Sequence, residues 1–302
     1  MTLGKLETHL LVGDNPFNGV NHFSQEHSRR RRSLSEEEMI RVISVAHDNG
    51  ATGFAFSSTP RVLGLLKRMK ECNFSNDLNL FPVIPDIQSY FQLIAERGMA
   101  GALIDRLRKM GTTSATTSMF GGGVGLATGS PKRILKTYVK GEVSLIEGLL
   151  PSRAKIKSVF LHEIATDLMV SLGMTNLFDS YCQIAADNLG VIPGFVTRNF
   201  ARFVNFTSLT SSLMKDIFVM TPFNKVGFQM NPSQEDCEQS LINHPNLNVI
   251  AMSVLAGGCS GVVESAKYLM QLKEDISCVV GVSTEEHAAE TFSTFKSLLH
   301  RG

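Results

Sequence analysis

Two neighbouring stretches near the C-terminus decide the fold: NVIAMSVLAGGCSG at residues 248–261 and SCVVGVSTEEH at residues 277–287. In each of them, a short apolar run ends in glycine and serine, and a helix-forming segment follows. This order is typical of a buried parallel strand that leads through a tight loop into a helix. Small residues in such loops let a ligand approach the backbone, and the start of a helix favours an anion. The two stretches therefore predict parallel strands with a ligand near their carboxyl ends.

The same alternation of apolar runs and helix-forming segments extends through the rest of the chain. Nine segments are candidate strands: residues 9–13, 52–58, 80–84, 112–120, 158–162, 191–196, 225–230, 249–255 and 278–282. Strands that alternate with capped amphipathic helices form parallel sheets, which predicts an α/β fold. We predict a single (β/α)8 TIM-barrel domain over residues 1–302, possessing one extra strand if all nine candidates form. An open doubly wound sheet is the competing architecture, but no GxGxxG motif follows an N-terminal strand.

Composition narrows the class of partner. The chain has 29 basic and 28 acidic residues and a formal net charge of +1, which gives no electrostatic case for nucleic acid or an acidic membrane. No apolar run reaches the roughly 18 residues that a membrane span requires. Five scattered cysteines without a CxxC pair are typical of reduced thiols in a cytoplasmic protein, and they disfavour a zinc site. We therefore expect a cytoplasmic protein that acts on a small molecule, while the oligomeric state stays open.

Polar residues at the predicted strand ends are the candidates for chemistry, because barrel enzymes place their active sites there. The candidates at these ends are Asp14, Asp86, His162, Glu163, Arg198, Asn199, Gln229, Ser253 and Ser283. Asp14 and Asp86 stand beside prolines, so turn building is their alternative role. Arg198 can bind a carboxylate or a phosphate, or it can form a salt bridge at the barrel rim.

His162 is the strongest catalytic candidate because it ends an apolar strand and is followed directly by a carboxylate. An imidazole there can transfer a proton, donate a hydrogen bond to a carbonyl or bind a metal, and a hydrogen-bonded core histidine is the alternative. Neighbours on a strand face opposite sides, so His162 and Glu163 share the lumen only if the strand ends between them. The predicted catalytic set is His162, Asp14, Asp86 and Glu163, and no spacing of residues supports a metal site.

From residue 158 onward, the order of strand ends resembles that of the aldo-keto reductase barrel. The matching segments are SVFLH, VTRNF, VGFQMNP, AMSVLAGG and VVGVSTEEH. The resemblance implies that His162 faces the substrate and that Asn199 and Gln229 hold the nicotinamide amide. It further implies that Ser253 and Gly257 belong to the pyrophosphate loop, and Ser283 to the loop for the adenosine phosphate.

The first half of the chain departs from that family. Its second strand ends in FAFSS instead of an aspartate closely followed by a tyrosine, and Pro85-Asp86 replaces the family's lysine after the third strand. Three of the four catalytic groups are therefore missing. The segment VIPGFVTRNFARFVNF is also similar to a strand of flavin-dependent methylenetetrahydrofolate reductases, which are barrels too. Both NADP and a flavin thus stay open as cofactors.

These patterns support three functional hypotheses. The favoured one is an oxidoreductase-like enzyme that acts on a small anionic metabolite with a nicotinamide or flavin cofactor. The second is a lyase or isomerase that uses His162 and a carboxylate, with or without a divalent metal. The third is a barrel that binds a ligand without catalysis.

An anion site is predicted where the last two loops meet. Ala256-Gly257-Gly258 and Gly281-Val282-Ser283 should lie side by side, because adjacent parallel strands bring their loops together. Their backbone N–H groups, together with a helix capped by Ser283 and Glu286, would offer donors to a phosphate. Glu285 and Glu286 oppose a dianion at that helix, and tight packing is the alternative role of the glycines.

Overall fold

The computed structural model describes residues 7–19, 33–86, 131–212 and 216–299. Its strands are β1 (Leu10–Gly13), β2 (Gly53–Ser57), β3 (Leu78–Ile84), β4 (Ala154–Ile156), β5 (Ser158–Leu161), β6 (Ile192–Val196), β7 (Phe218–Pro222), β8 (Asn248–Met252) and β9 (Ser277–Gly281). The strand pairs are parallel, and β1 pairs with both β2 and β9, so that eight strands close into a ring. β4 is hydrogen-bonded to β3 outside this ring. The predicted (β/α)8 barrel with one extra strand is confirmed.

Helices separate the strands and cover the outside of the ring. In the described ranges they are α1 (Glu36–Asp48), α2 (Pro60–Glu71), α3 (Pro131–Glu147), α4 (Glu163–Ser171), α5 (Thr175–Gln183), α6 (Phe200–Thr207), α7 (Gln234–Asn243), α8 (Val262–Leu272) and α9 (Glu285–Leu299). Ser35 caps α1: its hydroxyl accepts the Glu38 N–H at 3.2 Å, and the Glu38 carboxylate accepts the Ser35 N–H at 2.7 Å. Within these ranges, no helix is long and apolar enough to cross a membrane.

Apolar side chains pack in two layers, one inside the ring and one between the ring and the helices. The inner layer contains Leu11, Ala55, Phe81, Val83, Phe160, Val196, Phe218, Met220 and Ile250. Two glycines make room for its phenylalanine rings: a Cβ at Gly194 would lie 2.6 Å from the Phe160 ring, and one at Gly53 would lie 3.0 Å from the Phe81 ring. The lumen is therefore filled by side chains, and a ligand must bind at the mouth.

A β-bulge separates β4 from β5. Leu80 pairs with Ile156, whereas Val83 pairs with Phe160, so this segment has one more residue than β3 between the two pairs. Ile156 consequently packs in the outer layer and Phe160 in the lumen, although an uninterrupted strand would place both on one face. The extra residue lies at Lys157, and it sets the face on which the chain reaches His162.

The strand predicted at residues 225–230 is wrong, because β7 lies earlier at Phe218–Pro222. Residues 225–230 form turns in which Gly227 and Gln229 have φ angles of 71° and 60°. This left-handed backbone cannot continue an extended ladder. The Asn224 side chain holds the loop by accepting the N–H of Phe228 and donating to its carbonyl, both at 2.8 Å.

One predicted helix cap is also wrong, and two predicted segments lie outside the described residues. The capping box predicted for Ser283 and Glu286 is wrong: the Thr284 hydroxyl accepts the His287 N–H at 3.2 Å and caps α9, since this helix begins one residue later than expected. The candidate strand at 112–120 and residues 20–32 of the long polar loop lie outside the described residues.

Candidate active site

The predicted site residues follow the strands at their carboxyl ends. They are Asp14 after β1, Asp86 after β3, His162 and Glu163 after β5, Arg198 and Asn199 after β6, Gln229 after β7, Ser253, Gly257 and Gly258 after β8, Gly281 at the end of β9, and Ser283 after it. Because the strands are parallel, these ends share one mouth of the barrel. The mouth is open beside β9, where Gly281 is exposed and the lumen residue Val279 is only partly buried.

Asp14 is a buried carboxyl, only 8% exposed, at the end of β1. Its Oδ2 accepts the backbone N–H of Ser57 and the side-chain amide of Asn18, both at 2.8 Å. Burial raises the pKa of Asp14 to about 6 against the opposing effect of these hydrogen bonds, and the neighbouring charge of Asp86 adds to the rise. Since Oδ2 accepts both hydrogen bonds, the proton of the neutral acid belongs on Oδ1.

His162 caps α4, and this contact fixes its tautomer. The Ile164 N–H donates to His162 Nδ1 at 3.2 Å, so Nδ1 has no proton and the neutral ring has its proton on Nε2. Burial lowers the pKa of His162; Glu163 and Asp86 act against this decrease, and Arg198 adds to it. At neutral pH the ring is therefore uncharged and presents Nε2–H as a hydrogen-bond donor.

Two carboxylates of α4 hold the three residues that follow β6, and we call this arrangement the α4 clamp. Glu163 accepts a hydrogen bond from Arg198 Nε at 2.8 Å. Asp167 accepts one from the Thr197 hydroxyl at 2.5 Å and one from Asn199 Nδ2 at 2.9 Å. The two acids are four residues apart and so share one face of the helix. Strand-end reasoning missed Asp167 because it lies inside a helix; its spacing from Glu163 was the available signal.

The loop after β8 has an unusual backbone. Its residues with positive φ are Ser253 (54°), Ala256 (46°), Gly257 (69°) and Gly258 (100°). The amides of Ala256 and Gly258 donate to carbonyls within the loop, which occupies part of the predicted donor set. The Ser253 hydroxyl donates to Gln229 Oε1 at 3.4 Å, so these two predicted cofactor residues are neighbours.

The helices that begin after β8 and β9 differ in their suitability for an anion. Gly261 at the start of α8 provides no side-chain cap, so the first N–H groups of that helix can donate hydrogen bonds to a bound anion. Thr284 caps α9, whose first turn contains Glu285 and Glu286. Glu285 pairs with Arg41 at 2.8 Å. The first turn of α8 contains one acid, Glu264, which pairs with Lys225. Because it has fewer acids and no side-chain cap, the start of α8 is the better anion site of the two.

Comparison with solved structures gives relatives in fold. The chain is similar to a proposed aldo-keto reductase from Pseudomonas aeruginosa, with a TM-score of 0.57 and 13% identity over 96% of this chain and 90% of that one. It is also similar to an aldo-keto reductase from Bacillus halodurans in its holo form and to a glycerol dehydrogenase from Gluconobacter oxydans. Each of these two has a TM-score of 0.55 and 9% identity over 95% of this chain and 86% of the other.

The barrel is similar in fold to the aldo-keto reductases. This agrees with the resemblance in the order of strand ends, and it extends that likeness to the first half of the chain. At such low identity the likeness establishes the fold and not the activity. No protein-family model matches the sequence, and no curated protein matches it.

Proposed function

We propose that the protein is an oxidoreductase that reduces the carbonyl group of a small anionic metabolite with a nicotinamide cofactor. The observation that supports this most directly is the neutral His162 ring, whose tautomer is fixed with the proton on Nε2. A preorganised N–H donor stabilises the negative charge that develops on a carbonyl oxygen during reduction. The described ranges contain no group of three or more His, Cys, Asp or Glu residues that could hold a metal.

The proton for the reduced oxygen is proposed to come from Asp14. When bound, a reduced nicotinamide would supply the hydride for the carbonyl carbon. His162 Nε2–H binds the carbonyl oxygen, Asp14 Oδ1 gives up its proton to it, and water then returns a proton to the carboxylate. Asp14 would replace the tyrosine that the aldo-keto reductase pattern has after its second strand, where this chain has Ser57 and Ser58.

Arg198 is proposed to bind the anionic group of the substrate. Its guanidinium has five N–H donors, and Nε is the one that pairs with Glu163. The charge of Arg198 lowers the pKa of His162, which indicates that the two side chains are near each other. A short oxo acid, which has a carboxylate next to a carbonyl, fits this pair of donors.

The residues around the loop after β8 fit a nicotinamide dinucleotide. The uncapped start of α8 would hold the pyrophosphate, with Gln229 and Ser253 beside it. The resemblance assigns the adenosine phosphate of NADP to the loop of Ser283. The acidic first turn of α9 opposes a phosphate there, so NADH is the better fit.

The first experiment is to titrate the full-length protein with NADH and with NADPH. The chain has no tryptophan, so the emission of the cofactor itself reports binding. We expect NADH to bind about tenfold more tightly than NADPH. The double substitution Glu285→Gln and Glu286→Gln should reduce this preference without changing the affinity for NADH. A protein that binds neither nucleotide, or that purifies with a bound flavin, would contradict the proposal.

Reduction of small oxo acids is expected to slow as pH rises through about 6, because Asp14 then loses the proton it must donate. The measurement is kcat against pH for NADH with pyruvate or glyoxylate as probes. Asp14→Asn keeps an oxygen acceptor for Ser57 and Asn18 but cannot supply the proton. We expect this variant to lose about a hundredfold or more in kcat. A variant that keeps the rate and the pH profile of the parent would exclude Asp14 as the donor.

A further inference from the structure

The α4 clamp contains a hydrogen-bond network in which every proton can be assigned. A carboxylate only accepts hydrogen bonds, so Asp167 must receive protons from both the Thr197 hydroxyl and the Asn199 amide. The Thr197 oxygen in turn accepts the backbone N–H of Asn199 at 3.0 Å. Asp167, Thr197 and Asn199 therefore form a closed ring of three hydrogen bonds. Asn199 donates to both other residues, Thr197 donates to Asp167, and Asp167 only accepts.

This network determines how Asn199 is oriented. The amide of an asparagine can usually flip, because its oxygen and nitrogen occupy similar positions. Here Asp167 accepts only from nitrogen, so Nδ2 is turned toward α4 and Oδ1 is turned away from it. Asn199 itself follows the carboxyl end of β6, so its side chain starts at the mouth of the barrel. Asn199 thus presents Oδ1 as an acceptor, with the second N–H of Nδ2 beside the bond to Asp167.

Thr197 and Asn199, the two residues that Asp167 binds, differ in how far they are buried. Thr197 is 0% exposed, so its bond to Asp167 lies within the protein. Asn199 is only partly buried at the end of β6, so its free oxygen can meet a ligand. A contact that served only to attach α4 to β6 would need Thr197 alone.

We propose that Asp167 is a positioning residue that fixes Asn199 with Oδ1 ready to accept a hydrogen bond from an N–H group of the bound ligand. For the proposed cofactor this group is the carboxamide NH2 of the nicotinamide, so the inference rests on the proposed function. The substitution Asp167→Asn keeps the shape of the side chain but provides one oxygen where two are needed. Asn199 then loses its only fixed orientation.

The test uses a pair of cofactors that differ at this one group. NAD+ has the carboxamide NH2, and its 3-acetylpyridine analogue has a methyl group there that cannot donate. We expect the parent protein to bind NAD+ roughly three- to tenfold more tightly than the analogue, as one hydrogen bond allows. Asp167→Asn should bring this ratio close to one, while the affinity for ADP-ribose, which lacks the nicotinamide, stays at the parent value.

A matched control is available in Asp179 of α5. Its carboxylate accepts the backbone N–H groups of Ser211 and Ser212, each at 3.1 Å, in a loop away from the strand ends. Asp179→Asn should leave the cofactor ratio unchanged even if it lowers stability. An unchanged ratio in folded Asp167→Asn, or equal binding of both cofactors by the parent, would overturn the role of Asp167. Failure of the parent to bind NAD+ and ADP-ribose at all would instead overturn the proposed function, and the positioning role would fall with it.

Discussion

Replacing His162 by asparagine should lower the kcat of carbonyl reduction by about a hundredfold or more while the protein stays folded. Asparagine is a good N-cap residue, so it can still accept the Ile164 N–H and preserve the start of α4. Its shorter side chain places no donor at the position of imidazole Nε2. The substitution therefore removes the proposed carbonyl contact without removing the helix cap.

His162→Phe provides the complementary variant, because it keeps an aromatic ring but loses both the donor and the cap. Loss of the cap should reduce the free energy of unfolding by about 1 kcal/mol. Urea denaturation measures the stability of each variant, and NADH oxidation with a small oxo acid measures kcat. If His162→Asn keeps the parent kcat, the imidazole has only a structural role.

Acid should destabilise the protein as pH falls from about 6.5 to about 4, because of a second histidine, His9, at the floor of the barrel. His9 is 2% exposed, and its ring lies 5.0 Å from that of Phe81 and 5.8 Å from that of Phe218, measured between centroids. In the described part of the chain, neither ring nitrogen has a hydrogen-bond partner. Burial lowers the pKa of His9 to about 4; Lys157 and Lys155 add to this effect, and Glu7 opposes it.

The sign of the effect follows from that pKa. The unfolded chain binds the proton at the ordinary pKa of 6.5, and the folded protein binds it only near 4. The contribution to stability is thus fully present above pH 6.5 and decreases as pH falls toward 4, by on the order of 3 kcal/mol in total. Asp14 has the opposite effect, because its pKa is raised in the folded state. Its contribution to stability increases as pH falls from about 6 to 3.8.

His9→Leu separates these contributions. Leucine has a similar volume and no polar atoms, so the variant should lose the decrease in stability that His9 causes in acid. At neutral pH its free energy of unfolding should be about 1–3 kcal/mol higher than that of the parent. The measurement is the free energy of unfolding in urea at about pH 7.5 and about pH 5. His287→Gln, at an exposed position on α9, should behave as the parent does. Equal pH dependence in His9→Leu and the parent would show that the floor histidine is not the cause.

The barrel could be predicted because most of its strands are apolar runs bounded by turn residues. β8 and β9 illustrate this, although β8 ends at Met252, before Ser253, and so is shorter than the predicted run of 249–255. β7 was missed because the VGFQM segment after it has an equally strand-like composition, and the left-handed backbone at Gln229 cannot be read from its side chain. β4 has three residues, too few for any periodicity to show.

The sequence was enough to predict which residues of the candidate site follow the strands, but not how their side chains are oriented or protonated. Asp14, Asp86 and His162 were found because barrel enzymes use the carboxyl ends of their strands. The tautomer of His162 depends on the Ile164 amide, and the direction of Asn199 depends on Asp167; both require the position of α4 against the barrel. The four-residue spacing of Glu163 and Asp167 indicates that they share a face of α4, but it does not indicate which residues that face contacts.

The bulge at Lys157 accommodates one extra residue, so the chain after it keeps its pairing with β3 and the imidazole keeps its side of the strand. Deleting one residue between 154 and 161 would leave three steps between the two pairs on both strands, so Phe160 would still pair with Val83 and His162 would keep its side of the strand. A substitution at Lys157 changes only a partly exposed side chain and its pairing with Glu7. Any alignment of this barrel with distant relatives should therefore place a gap here before it compares the residues at the mouth, because a frame off by one residue would compare lumen positions with outer ones.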